Sequence, residues 1–157
     1  MHPETPPDGL SMSSLFPAQR LDAMWQSLKA MGAPYGIQFG ESGGLLSNTR
    51  KALQAGEYAR AQGKFEQFHN KVFYAYFVEG RDIGDLQVIL EIGYEVGLDV
   101  AKMQEVLTTG EYLTVLEKAR ADWLKHGTTG IPTFIINENT VVIGARTIEE
   151  FRQVLAK

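Results

Sequence analysis

The chain has 157 residues, 44% of them hydrophobic and 22% charged, enough for a globular domain with a sizeable core. A formal net charge of −4 argues against a nucleic-acid binder, and no apolar run approaches the ~18 residues of a membrane span. There is no cysteine, so the chain can form no disulfide, no thiolate nucleophile and no cysteine-ligated metal site.

Residues 2–9 are rich in proline and read as loop. The N-terminus lacks the basic and apolar regions of a signal peptide, so a cytoplasmic product is expected. Phe16-Pro17 opens a first helix to about Met31, with Leu21, Met24, Trp25, Leu28 and Met31 at helical spacing and Gly32 as its stop. Gly36–Phe39 reads as a short extended piece and Gly40–Gly44 as a loop. Ser47 or Asn48 is expected to cap a second helix reaching about Gln62. A glycine-rich loop before a helix can offer backbone N–H groups to an anion, but this one lacks the lysine and spacing of a P-loop.

A third helix is expected from Lys64 to about Glu79. Its wide apolar face, Phe65, Phe68, Val72, Phe73, Tyr76 and Phe77, predicts that it forms the centre of the helical layer. His69 sits among these aromatics without another histidine at metal-site spacing, so it reads as a packed or surface residue. Asp85 caps a fourth helix to Val96, and Asp99 caps a fifth from Val100 to about Thr108. Glu91 and Glu95 share a helix face, which reads as solvated rather than as an acid–base pair. A sixth helix runs from Glu111 to about His126, where a cation suits the negative end of the helix dipole.

The last thirty residues change character. Gly127 and Gly130 turn the chain into Pro132, and Thr133–Ile136 is β-branched or aromatic throughout, which predicts a strand. Proline is tolerated at a strand's first residue because its missing N–H need not join the ladder. X-Pro is also the one bond type where cis costs little, which makes a cis Ile131–Pro132 bond a reasonable expectation, although trans is the commoner form. Asn137–Asn139 reads as a turn, Thr140–Ile143 as a second strand, and Thr147 to about Ala156 as a helix. Thr147 and Glu150 fit the capping box, with Ile148, Phe151, Val154 and Leu155 on one face.

This loop–strand–turn–strand–helix unit, entered through Gly130-Ile131-Pro132-Thr133-Phe134, resembles the C-terminal half of a DsbA-like thioredoxin domain. Two further stretches carry the resemblance. The run Val72 to Asp85 is similar to the FrnE-type cytoplasmic DsbA-like oxidoreductases, and so is the segment Pro3-Glu4-Thr5-Pro6-Pro7-Asp8-Gly9. The resemblance implies an α/β class that is mostly helical here. It is a partial thioredoxin-like fold, with a DsbA-type helical insertion over 10–126 followed by a β-hairpin and C-terminal helix over 127–157, all within one domain. It implies that Gly130, Ile131, Pro132 and Thr133 bind an extended protein or peptide substrate, with Ile131 offering its backbone groups. Composition, charge and residue spacing give no metal site, no membrane span and no nucleic-acid partner to expect.

In the family, the redox-active Cys-x-x-Cys stands in a strand–helix–strand that this chain lacks. Met1 is therefore expected to lie inside a longer gene product, and the chain by itself to have no catalytic residue and no redox activity. The strand Thr133–Ile136 should keep an unpaired apolar edge, which predicts marginal solubility or self-association through it. A second reading is a glutathione-dependent relative of 2-hydroxychromene-2-carboxylate isomerases and kappa-class glutathione transferases, which would bring glutathione as cofactor. Those relatives commonly carry Trp-Gly-x-Asp-Arg after the second strand. This chain has Ile143-Gly-Ala-Arg-Thr-Ile148, closer to the oxidoreductase form. A third reading is a non-catalytic module that captures extended peptide at the open strand edge.

Overall fold

The computed structural model describes residues 4–40, 44–127, 130–138 and 140–156. They form two compact units, Met1–Leu113 and Thr114–Lys157. The boundary falls at the start of the sixth expected helix, so most of that helix groups with the hairpin.

The first unit begins with a two-residue strand, β1 (Leu10–Ser11), and a single helical turn, α1 (Met12–Leu15). Neither was legible in the sequence, because two residues carry no period-2 pattern. Pro17 stands just outside helix α2 (Ala18–Gly32), which continues into a 3-10 turn at Ala33–Tyr35. β1 pairs antiparallel with β2 (Leu45–Leu46). The proline-rich leader is anchored rather than loose: Thr5 is buried, and its carbonyl accepts from Asn48 Nδ2 at 2.7 Å. Gly40 donates its N–H to Phe77 O at 2.9 Å. A Cβ at Gly40 would run into the Val78 carbonyl, so only glycine lets the two backbones approach there.

Four helices make the core: α3 (Arg50–Ala61), α4 (Phe65–Phe77), α5 (Leu86–Glu95) and α6 (Val100–Thr109). α3 and α5 each pack against the other three core helices, whereas α4 packs against α3 and α5. The centre is therefore shared by α3 and α5 and is not the aromatic helix α4. The physical reason is side-chain size. α3 buries Ala52, Ala55 and Ala59 on one stripe, and small residues let three neighbours come close, with Tyr58 filling the gap beside them. α4 buries Phe68, Val72 and Ala75, packs Tyr76 against the same core, and leaves Phe73 and Tyr74 about half exposed. Phe68, Ile89, Ile92, Met103 and Val106 are the largest fully buried side chains.

The helix ends follow local chemistry. Asp85 accepts from Gln87 N–H at 2.7 Å and Asp99 from Lys102 N–H at 3.0 Å, as N-caps do. The N-cap of α3 is Thr49 rather than Ser47 or Asn48, although Asn48 Oδ1 does accept from Arg50 N–H at 3.0 Å. Tyr76 OH donates to Leu45 O at 2.9 Å and so ties α4 to β2.

In the second unit, α7 (Leu113–Lys125) is followed by β3 (Thr133–Ile136) and β4 (Thr140–Ile143), then α8 (Ile148–Leu155). β3 and β4 pair antiparallel with Thr133 opposite Ile143 and Ile136 opposite Thr140. Asn137 and Glu138 turn the chain with positive φ, while Asn139 lies outside the described residues. Phe134 of β3 meets Phe151 of α8 edge to face, with ring centroids 4.7 Å apart. Of the expected α8 face, Phe151 and Val154 are half-buried, whereas Ile148 and Leu155 are exposed.

Thr147 and Glu150 form the capping box: Glu150 N–H donates to Thr147 Oγ1 at 3.2 Å, and Thr147 N–H donates to Glu150 Oε2 at 2.8 Å. The Thr147 N–H, chiefly, holds the Glu150 carboxyl below its ordinary value of 4.5. A depressed carboxylate stabilises the folded form above its unfolded pKa, and that contribution fades as pH falls through the lower folded value. Acidification below about pH 4.5 is therefore expected to fray the start of α8. In Glu150→Gln this pH dependence disappears. Amide exchange of residues 148–151, compared at pH 6 and pH 3.5, checks it, and identical pH profiles for the two proteins would remove the assignment.

Candidate functional site

The four residues expected to hold a substrate lie in one loop that enters β3. The Ile131–Pro132 peptide bond is cis. Pro132 stands immediately before the strand, where its missing N–H removes no ladder bond. Two hydrogen bonds brace the loop from within. Thr133 Oγ1 donates to Gly130 O at 2.6 Å, and Gly144 N–H donates to Pro132 O at 2.7 Å. The carbonyls on both sides of Ile131 are thus occupied. Ile131 itself is 84% exposed, and among the described residues its backbone N–H and C=O have no partner. One extended residue with a donor and an acceptor both open is the smallest unit that can pair with another extended chain.

The Gly144-to-Pro132 bond also sets the phase of the hairpin. Pro132 and Gly144 are a hydrogen-bonded pair, so by alternation Phe134 and Ile136 bond to β4. The N–H and C=O of Thr133 and Ile135 point to the opposite edge. Among the described residues that edge has no strand beside it, since β3 and β4 form a two-stranded sheet. Next to it, Phe134, Ile135, Ile136, Phe151 and Leu155 line an open apolar groove of about 390 Å³. Gly130–Ile136 holds no ionisable group, so the edge recognises by backbone and apolar contact rather than by charge.

The remaining residues singled out in the sequence find structural roles. Glu95 Oε2 accepts from Lys71 Nζ at 2.8 Å, and Glu91 pairs with Arg81. The Lys71 hydrogen bond holds the Glu95 carboxyl below its ordinary value, the opposite of what a general acid needs. His69 lies exposed between Phe65 and Phe73, with ring centroids at 5.3 and 4.4 Å. His126 follows the last turn of α7 and is exposed. Among the described residues, no group of three or more His, Cys, Asp or Glu is placed to hold a metal ion. The centre of the glycine-rich loop, residues 41–43, lies outside the described residues. Gly40 and Gly44 at its ends bond to Phe77 and Met12. What sequence reasoning missed is the bracing: neither the Thr133 hydroxyl nor the Gly144 N–H stands out by residue type.

The DSBA-like thioredoxin domain family matches residues 2–156. The chain is 31% identical over 140 residues to the uncharacterized protein YwbO of Bacillus subtilis (strain 168), covering 85% of this chain and 68% of that protein. It is also similar to the crystal structure of a probable DsbA oxidoreductase from Streptomyces coelicolor. The TM-score is 0.83 at 20% identity, over 98% of this chain and 70% of that one, which shows a shared fold. The chain belongs to the DSBA-like thioredoxin domain family, and with no cysteine among its 157 residues it supplies no redox-active thiol of its own.

Proposed function

We propose that the chain is the substrate-holding part of a FrnE-type, cytoplasmic DsbA-like thiol-disulfide oxidoreductase, and that it takes an extended protein or peptide at Gly130–Thr133. The observation that carries this reading is Ile131, exposed and, among the described residues, with both backbone groups open while its neighbours' carbonyls are tied down. An extended peptide forms a two-bond bridge to that residue and lays its side chains toward the apolar groove beside β3. Exchange chemistry needs a thiolate to attack the substrate disulfide, and this chain has none. In this reading the Cys-x-x-Cys lies in a strand–helix–strand outside these residues, in keeping with the 68% and 70% of the relatives' lengths that the chain spans.

The test is a titration of the labelled chain with an extended, uncharged peptide, followed by amide chemical shifts. Shifts centred on Ile131 and Thr133 are expected, and N-methylating the one peptide residue that pairs with Ile131 should abolish them. Absence of any shift at about 1 mM peptide would sink the reading. Turnover of insulin disulfides by the pure chain would contradict the thiol argument.

A second reading is favoured by the outward row of Thr133 and Ile135. An uncharged, apolar strand edge without a bulge is a template for a second copy of the same chain. Sedimentation that gives a monomer at every concentration removes this reading.

A further inference from the structure

We infer that β3 pairs with β3 of a second copy about a two-fold axis at Phe134, so that Thr133 of each chain stands opposite Ile135 of the other. The inference rests on the second-copy reading above and deepens it, by fixing the register of the pair and its closure at two chains.

The phase of the hairpin supplies the donors and acceptors. Phe134 and Ile136 bond to β4, so the N–H and C=O of Thr133 and Ile135 point away from it. Among the described residues no strand lies beside them, and β3 itself spans only Thr133–Ile136. An antiparallel copy running past that edge satisfies both outward residues inside the strand in one register alone. Thr133 takes Ile135 of the other copy, Ile135 takes its Thr133, and Phe134 faces Phe134. Each pair of Thr133 with Ile135 exchanges both its N–H···O bonds. A register centred on Thr133 would reach back to Ile131, beyond Pro132 and outside the strand. One centred on Ile135 would need Asn137, whose φ of 50° turns the chain away.

The side chains agree with this centre. Opposed residues of a non-hydrogen-bonded pair approach closest, with Cα atoms about 4.5 Å apart, and Phe134 occupies that pair. Aromatic cross-strand pairs stabilise a sheet. Each Phe134 ring already lies edge to face on Phe151, with centroids 4.7 Å apart, so the rings of the two copies form one run. The apolar groove is lined by β3 and α8 and by no residue of β4, so pairing at β3 joins the grooves of both copies across the axis. A two-fold pair sets each side chain near its own copy, and a charged edge would bring like charges together. Gly130–Ile136 has no charge to oppose it. Because the contact is isologous, it uses the β3 edge of both chains and closes as a dimer with a four-stranded sheet.

The experiment uses the absence of cysteine, which makes any introduced thiol unique. Thr133→Cys and Ile135→Cys chains are oxidised with diamide, separately and mixed, and read on a non-reducing gel. Tyr94→Cys, exposed in the first unit, measures random collision. The mixture is expected to form disulfide dimers about tenfold faster than either chain alone. Opposed Cα atoms about 5.5 Å apart suit a disulfide, whereas like residues are displaced along the strand beyond the ~7 Å limit. In the unaltered chain, half of it carbon-13 labelled, an Hα–Hα contact between the Phe134 residues of two copies is expected, and it decides the matter if a cysteine chain fails to fold. A Thr133→Cys chain that cross-links fastest by itself, or a mixture no faster than its parts, overturns the register while leaving the second-copy reading in place. Cross-linking no faster than Tyr94→Cys in every sample, with a monomer in sedimentation, overturns both.

Discussion

Phe68→Ala should lower the stability of the first unit by about 3–5 kcal/mol, while Phe73→Ala costs about 1 kcal/mol. The two residues are the same type on the same helix, so propensity cannot separate them. Phe68 is 1% exposed and belongs to the core built by α3, α4, α5 and α6. Its removal loses the transfer energy of a whole ring and leaves a cavity that Ile89, Ile92 and Met103 cannot fill, each being fully buried in its own place. Phe73 is 51% exposed and touches chiefly His69 and Phe77, so its loss costs a ring contact and little burial. Urea denaturation followed by far-ultraviolet circular dichroism measures both. Equal losses from the two substitutions would mean that α4 is buried on its aromatic face, contrary to the arrangement around α3.

Proline at position 136 should break the hairpin, whereas proline at position 135 should leave it standing. Ile136 is hydrogen-bonded to β4 and Ile135 is not, by the phase that Gly144 and Pro132 set. Ile136→Pro removes a ladder bond and places a ring where β4 must approach, a loss of about 3 kcal/mol or more. Ile135→Pro removes an N–H that already faces away from β4, and costs about 1 kcal/mol of packing from a side chain that is 43% exposed. The same substitution takes a donor off the open edge. If the chain self-associates through that edge, Ile135→Pro gives a monomer with the hairpin's amide shifts intact. A hairpin lost in both variants, or lost only in Ile135→Pro, would show that the phase is reversed.

Much of the helical unit could be read from the sequence because its signals are local. Asp85 and Asp99 cap helices where the sequence places them, and the capping box at Thr147 and Glu150 is present with both its hydrogen bonds. Both strands of the hairpin have the expected bounds, because four successive β-branched or aromatic residues between turn signals admit few alternatives. The Ser47 or Asn48 cap differed because three polar residues, Ser47, Asn48 and Thr49, compete for one position and only the packed backbone chooses among them. β1 and β2 differed for another reason. Leu10–Ser11 and Leu45–Leu46 become strands only by meeting each other, across a separation in sequence that no window of periodicity spans.

The sequence by itself determined the family, the order of helices and hairpin, the proline loop, and the absence of a thiol. Each follows from residue type and spacing, which survive without any partner. Only the tertiary structure decided which helices are central. α4 has the larger apolar face, but α3, through its small residues, and α5 each meet three neighbours, and close packing favours those two. Only the tertiary structure, too, separated the four loop residues into braces and a free backbone. Thr133 Oγ1 and Gly144 N–H become ties through distances of 2.6 and 2.7 Å, and a hydrogen bond across folded chain is not written in the residues that make it.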